Sequence, residues 1–367
     1  MKVNSYDEWS PLKEIIVGAG FPESLPTADF SFKVFFHDNL YGTNFYKNSS
    51  TYITKQDIEE HNEDVEGYVD ILTSLGVKVH RPKVPNNVRK VKTNTFESTN
   101  FPALNPRDLA MVIGNEIIET PPICRYRYFE NDYLKHIFME YFSSGSRWTV
   151  APRPLLLDSS FDLDYISDRD QPGAREYYES QQKDDKHPLN MGYEIMFDAA
   201  CCMRLGKHII MNVCNKNSEL GCKWLQAHLG DEYIVEQVRV CDWHIDSTFV
   251  PLRPGLALVS HDHIIQRLPK WLQKWDYVVA PDELALEVRD QTMLASPYID
   301  INVLSIDEST IIANTADCTT VALEKLLKPY NIDVIGSRLR HDEKFSGAHH
   351  CLTIDTVRDS TKEDYSV

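Results

Sequence analysis

Residues 109–120 read LAMVIGNEIIET, from Leu109 to Thr120. An apolar run, Leu109 to Ile113, meets a Gly114-Asn115 pair, and a second run follows from Glu116 to Thr120. Two short β-prone runs across a two-residue glycine turn predict a β-hairpin, with Gly114 and Asn115 supplying the positive φ values that a tight turn needs. Downstream, Tyr133, Leu134, Ile137, Phe138 and Tyr141 recur at helical spacing, and Trp148-Thr149-Val150 reads as a closing strand. The unit is therefore hairpin, helix, strand.

The same order recurs along the chain although the letters barely do. Leu12 to Val17 ends at Gly18-Ala19-Gly20, a helical face carries Ile58, Val65, Val69, Leu72 and Leu75, and Val77 to His80 alternates like a strand. Ala199 to Arg204 and His208 to Val213 flank Gly206, before a helix through Leu220, Trp224 and Leu225 and a strand Tyr233 to Val240. Thr248 to Leu252 and Leu256 to Ser260 flank Pro254-Gly255, before a helix through Ile265, Leu268 and Leu272 and a strand Tyr277 to Ala280. Asn302 to Ile306 and Thr310 to Ala313 precede a helix through Leu323 and Leu326 and a strand Asp333 to Ile335. Five such units predict an α/β fold, a closed, pseudo-symmetric array of ββαβ-type units rather than a Rossmann sheet. No Gly-x-Gly-x-x-Gly follows a strand. The reading is one catalytic domain over 1–367, with a lid-like insertion near 21–55 and another excursion near 159–190.

The chain has 38 Lys+Arg against 55 Asp+Glu, a formal charge of −17, which speaks against a general nucleic-acid or anionic-membrane binder. The one basic run, Arg89-Lys90-Val91-Lys92, reads as a solvated loop. No apolar stretch approaches a spanning helix, and Met1 to Trp9 carries no leader pattern, so a cytoplasmic location is expected. Eight cysteines without C-x-x-C spacing fit reduced thiols, with Cys201, Cys202 and Cys214 in the core.

The repeat also organises the acids. Asp108 stands just before the first hairpin strand of its unit, Asp198 holds the equivalent place, His244-Ile245-Asp246 precedes the fourth hairpin, and Asp300 precedes the fifth. In a pseudo-symmetric ring such positions converge, and crowded carboxylates call for a cationic guest or raised pKa values. A guanidinium fits, because its planar donor fork matches carboxylates bidentately. The second signal is His349-His350-Cys351 after Ser346-Gly347-Ala348, where small residues permit close backbone approach. All three residues are possible zinc ligands, yet adjacent residues rarely chelate one ion and no second pair has suitable spacing, so no metal site is assigned. Cys351 has the best setting among the thiols for a lowered pKa and a nucleophilic role.

Several multi-residue strings in one order resemble the arginine-dependent amidinotransferases, from about Ser5 to Arg358. They are Asn105-Pro106-Arg107-Asp108, Val112 to Glu119, Phe197-Asp198-Ala199-Ala200, His244-Ile245-Asp246-Ser247-Thr248 and His350-Cys351. Ser144 to Trp148, Glu219-Leu220-Gly221 and Val250 to Leu256 resemble the inosamine-phosphate branch. The resemblance implies the five-bladed propeller of the guanidino-modifying superfamily, L-arginine as donor, a primary amine as acceptor and no cofactor. It implies Cys351 as nucleophile, His244 as general acid and base and Asp198 as its orienting partner. Asp108, Asp198 and Asp246 would hold the guanidinium, and ornithine would leave before the acceptor enters. A role in specialised-metabolite or toxin biosynthesis follows from the bacterial relatives, and a homodimer is compatible.

Three departures bear on substrate binding. Where relatives offer an arginine to the donor's carboxylate, this chain has His263, with Arg267 nearby, and a serine pair is reduced to Ala295-Ser296. The loop before His244 carries Cys241 and Trp243, so glycine is not singled out, and lysine or an amino-cyclitol fits equally. The rival readings are an arginine deiminase-type hydrolase on the same triad and a non-catalytic arginine-binding protein.

Overall fold

The computed structural model describes residues 1–20, 29–35, 53–85, 89–164, 166, 173–184, 186–284, 295–315 and 319–367. Most of the lid-like insertion near 21–55 lies outside these residues, as does part of the excursion near 159–190. Chain order gives β1 (Leu12–Val17), α1 (Phe30–Phe35), α2 (Lys55–Ser74) and β2 (Lys78–His80), then a small pair, β3 (Arg89–Lys92) and β4 (Glu97–Asn100). The second unit is β5 (Ala110–Ile113), β6 (Glu116–Glu119), α3 (Lys135–Ser143) and β7 (Arg147–Val150). A short helix α4 (Ala174–Gln181) lies in the excursion. The third unit is β8 (Cys202–Leu205), β9 (His208–Asn212), α5 (Lys216–Leu229) and β10 (Ile234–Val238). β11 (Phe249–Arg253), β12 (Leu256–Val259) and β13 (Asp276–Val279) form the fourth. The fifth is β14 (Leu304–Asp307), β15 (Thr310–Asn314), α6 (Thr319–Leu327) and β16 (Asp333–Ser337), followed by α7 (Asp342–Phe345) and β17 (Thr353–Arg358).

The result is a mixed α/β fold built from small sheets of one plan. In units two to five an antiparallel hairpin is joined by a third strand parallel to its second member. The first sheet follows the same plan with a hairpin split across the chain: β17 pairs antiparallel with β1, Leu12 facing Arg358, and β2 joins parallel. The C-terminal strand thus completes the N-terminal unit. The hairpin strands bury most of their apolar residues, while Val150, Ile234 and Val279 of the third strands are exposed; full burial of a Leu or Ile side chain is worth roughly 1.5–3 kcal/mol.

Several local expectations change. Of the Gly114-Asn115 pair only Gly114 takes a positive φ, 60°, as a type II′ turn asks. Ala199–Cys201 is a 3₁₀ turn rather than the start of a strand, matching the 3₁₀ turns Pro106–Asp108 and Ile299–Ile301 before β5 and β14. The helix expected through Ile265, Leu268 and Leu272 is two 3₁₀ segments, Asp262–Arg267 and Leu272–Lys274. Pro269 explains the break, since it offers no N–H and clashes with the preceding turn of an α-helix. Helix α2 starts in a Thr54/Asp57 capping box and buries Ile58, Val65, Tyr68 and Leu72, while Leu75 falls past its end and is exposed. The basic run forms strand β3 instead of a loop, with Arg89, Lys90 and Lys92 exposed. No helix among the described residues is long and apolar enough to cross a membrane.

Candidate active site

The 3₁₀ turns ahead of the hairpins place the acids. Pro106–Asp108 packs against Ala199–Cys201, which brings Asp108 and Asp198 to the same place. His244 stands between them, its Nε2 3.0 Å from Asp198 Oδ2 and its Nδ1 3.8 Å from Asp108 Oδ1. The chain on either side of His244 is pinned: Asn212 Nδ2 donates to the carbonyls of Cys241 (3.1 Å) and Trp243 (2.8 Å), and Ile245 N donates to Ala200 O (3.0 Å). Asp108 is braced from behind by Arg127, which also pairs with Glu130 at 2.7 Å.

Cys351 reaches the same centre from the end of the chain. Gly347 lets it in, because a Cβ there would fall 2.6 Å from Asn105 Oδ1 and 2.8 Å from the Cys351 Cβ. Asn302 Oδ1 accepts the Cys351 N–H at 3.0 Å, and Asn302 Nδ2 donates to Asp246 O at 3.2 Å. The thiol donates to Asp246 Oδ2 at 3.2 Å, and His350 Nδ1 meets that same oxygen at 2.9 Å. Cys351, His244, Asp198, Asp108 and Asp246 are therefore assembled as the sequence predicted. Asp300 is not among them: it is buried elsewhere and its charge bears on Asp342.

Asp108, Asp198 and Asp246 are each at most 2% exposed, and the Oδ1 atom of each accepts no hydrogen bond among the described residues. Three buried carboxylates with one vacant oxygen apiece form an acceptor array awaiting donors. Their field sets the protonation of what lies between. Burial opposes charge on His244, but Asp108, Asp198 and Asp246 outweigh it and raise its pKa to about 9. Burial raises Asp108 in spite of His244 and Arg127, and Asp246 is lowered because His350, His244 and the thiol outweigh its burial. Cys351 is pushed well above the usual thiol range by burial and by Asp246 and Asp108. The expectation of a lowered thiol pKa thus fails for the protein without a guest, because the acids that suit a cation oppose a thiolate.

A cavity of about 610 Å³ opens onto His244, Asp246 and Cys351. Trp243, Cys241, His263 and Ser296 all line it, as does Phe35 of α1, whose ring packs edge-on against Trp243 at 5.6 Å. Burial raises the Cys241 thiol, which donates to His244 O at 3.1 Å. Arg267 does not line the cavity; its guanidinium turns to the carbonyl of Arg239 at 3.4 Å. His349 is buried under Tyr68, and burial drops its pKa to about 3. Among the described residues no group of His, Cys, Asp or Glu could hold a metal ion. Sequence reading missed Arg127, Glu130 and Asn302: Arg127 and Asn302 act through contacts distant in sequence, and the Arg127–Glu130 pair, three residues apart, gains its meaning only once Arg127 reaches Asp108.

No family model matches the chain. It is 32% identical over 366 residues to inosamine-phosphate amidinotransferase 1 of Streptomyces griseus, covering 99% of both chains. It is 31% identical to the mitochondrial glycine amidinotransferase of Xenopus tropicalis, covering 99% of this chain and 84% of that one. To the L-arginine:L-lysine amidinotransferase of Pseudomonas savastanoi pv. phaseolicola it is 31% identical, covering 100% and 97%. The solved structure of the Streptomyces griseus enzyme superposes with a TM-score of 0.81 at 31% identity over 100% of this chain and 99% of that one. A dimethylarginine dimethylaminohydrolase, 12% identical, shares the fold with a TM-score of 0.58, covering 94% of this chain and 99% of that one. Similarity of this extent to several amidinotransferases, joined to an acid-walled thiol site, makes the chain a member of the arginine-dependent amidinotransferase family, enzymes that transfer amidino groups from arginine.

Proposed function

We propose that this enzyme carries the amidino group of L-arginine on Cys351 and passes it to a primary amine, releasing ornithine. The observation that carries the reading is the set of three vacant carboxylate oxygens around His244, beside the Cys351 thiol. A guanidinium brings five N–H donors and one positive charge, so it satisfies these acceptors and offsets the charge that keeps the thiol protonated. With the guest bound, the thiol gives its proton to solvent and its sulfur attacks the guanidino carbon. The bond from that carbon to the ornithine nitrogen breaks, and His244, protonated at rest, gives its proton to the departing amine. That amine, once protonated, takes up a solvent proton as the ornithine ammonium, so the half-reaction balances. The acceptor amine then attacks the amidino carbon, His244 takes its proton, and the thiolate leaves. Asp198 orients His244 throughout, as the third member of a triad does. The kinetics are ping-pong.

The five sheets would stand as blades around one axis, with the whole of 1–367 acting as a single catalytic domain. Trp243 and Cys241 would form the acceptor wall, and His263 and Ser296 would meet the amino-acid end of the donor. The named relatives use an inosamine phosphate, glycine and lysine. Lysine, a glycine-like amino acid and an amino-cyclitol are the acceptors to try. Incubation with guanidino-labelled arginine and a panel of primary amines tests the reading. Ornithine with a new labelled guanidine is expected; citrulline with no labelled guanidine would mean a hydrolase.

A further inference from the structure

We infer that His350 is a positioning residue for amidino transfer: it fixes the Asp246 carboxylate beside Cys351 and supplies the positive charge that lets the thiol ionise. The inference rests on the reading of Cys351 as nucleophile. His350 is 4% exposed and does not line the cavity, so it does not touch the substrate. Its Nδ1 lies 2.9 Å from Asp246 Oδ2 and its Nε2 3.4 Å from Glu8 Oε2. Carboxylates only accept, so each contact asks for a hydrogen on its nitrogen.

The far end of this bridge is rigid. Glu8 takes Arg204 bidentately, Nε to Oε1 at 2.8 Å and Nη2 to Oε2 at 2.6 Å, and Arg204 is held in turn by Asp355 at 2.8 Å. Burial disfavours the Glu8 charge, but Arg204 and the His350 bond hold it well below the ordinary carboxylate range. The backbone of His350 is fixed too, its N–H donating to Asn302 O at 3.2 Å and its carbonyl accepting from Arg107 Nε at 3.4 Å. A ring bonded at both nitrogens on a fixed backbone holds Asp246 in one orientation. Oδ2 is then occupied by His350 and the thiol, and Oδ1 is left for the guest.

The charge matters as much as the placement. The groups facing the Cys351 thiol are Asp246, Asp108 and the neutral amide of Asn302, with His244 beyond them. Asp246 opposes ionisation of the thiol, and a charge on His350, which meets the same carboxylate oxygen, offsets it.

The test uses His350→Asn and His350→Gln in the full-length enzyme. Asparagine places an amide donor where Nδ1 stands; glutamine reaches toward Glu8 and leaves Asp246 without that donor. Two quantities are followed: alkylation of Cys351 by iodoacetamide against pH, read on the Cys351 peptide, and kcat and KM for arginine. Both variants lose the charge, so alkylation at a given pH should slow roughly tenfold. kcat should fall roughly 100-fold in H350Q and recover in large part in H350N. An alkylation profile equal to wild type in either variant, or equal loss of kcat in both, would overturn the inference. If H350Q does not fold, the alkylation profile of H350N decides. Alkylation needs no turnover, so retained transfer in Cys351→Ala would refute the nucleophile while leaving the alkylation result standing.

Discussion

Two clusters of buried charge meet at His350, and they are built in opposite ways. On one side, Arg204, Arg107 and Arg358 converge on Asp355, and Arg204 also takes Glu8. Arg358 turns its remaining donors to the carbonyls of Ser10 and Ser305, and Arg204 to Ser5 Oγ and Val112 O, so that among the described residues only Arg107 Nη2 lacks a partner there. On the other side, Asp108, Asp198 and Asp246 crowd around His244, each with a vacant oxygen. Buried charge that is paired on all sides ties the N-terminal segment, β8 and β17 together. Buried charge left with open acceptors costs stability, and a guest that brings donors offsets that cost. On the proposed reading, the first cluster holds the fold and the second receives the guest.

If that contrast is right, substitutions in the two clusters separate stability from activity. Asp198→Asn keeps the shape, removes one of three repelling charges and leaves His244 without its anionic partner. kcat should fall roughly 10³–10⁴-fold while thermal stability stays level or rises; a matching loss of stability would make the two clusters alike. Arg204→Met does the reverse, leaving Glu8 without its bidentate partner and Asp355 with only Arg107 and Arg358. Unfolding in urea should show a loss of about 3–5 kcal/mol, and a neutral result would mean that packing, not charge, joins the termini.

Titration sharpens the same contrast on a smaller scale. His244 has a pKa of about 9 against an ordinary 6.5. Its raised pKa contributes stability fully present below 6.5 and lost as pH climbs through 9. The melting temperature of the free enzyme should therefore decline across that window, and His244→Gln should flatten the decline. Identical slopes in both proteins would place the cation elsewhere. The smallest effect expected is at Arg267, which faces Arg239 rather than the cavity. Arg267→Ala should change KM for arginine less than about twofold, within the range of ordinary surface substitutions; a tenfold rise would restore it as the donor's carboxylate partner.

Much of this molecule was legible in its sequence because the repeat is local. Apolar runs around Gly114, Gly206 and Gly255 mark hairpins, and each lies within one unit. The pairing of β1 with β17 was not legible, since it joins Leu12 to Arg358 and no neighbouring residue announces it. The false helix after β12 came from Ile265, Leu268 and Leu272, whose spacing was right and whose backbone was vetoed by Pro269. In the site, the acids were found because they repeat at one point of each unit. His350 was visible as a neighbour of Cys351, but its work depends on Asp246, 104 residues away, and Glu8, 342 residues away. The lowered thiol pKa was expected from nearby histidines; it failed because His349 turns into the core and the acids dominate.

The central claim is that the amidino group rests on Cys351 between donor and acceptor. The enzyme should be mixed with arginine alone, quenched, digested and examined by mass spectrometry. The account predicts the mass of one amidino group on the Cys351 peptide, with one ornithine released per enzyme, and loss of that mass when a competent amine is added. Ornithine formed only when the amine is present, with Cys351 unmodified throughout, would contradict it.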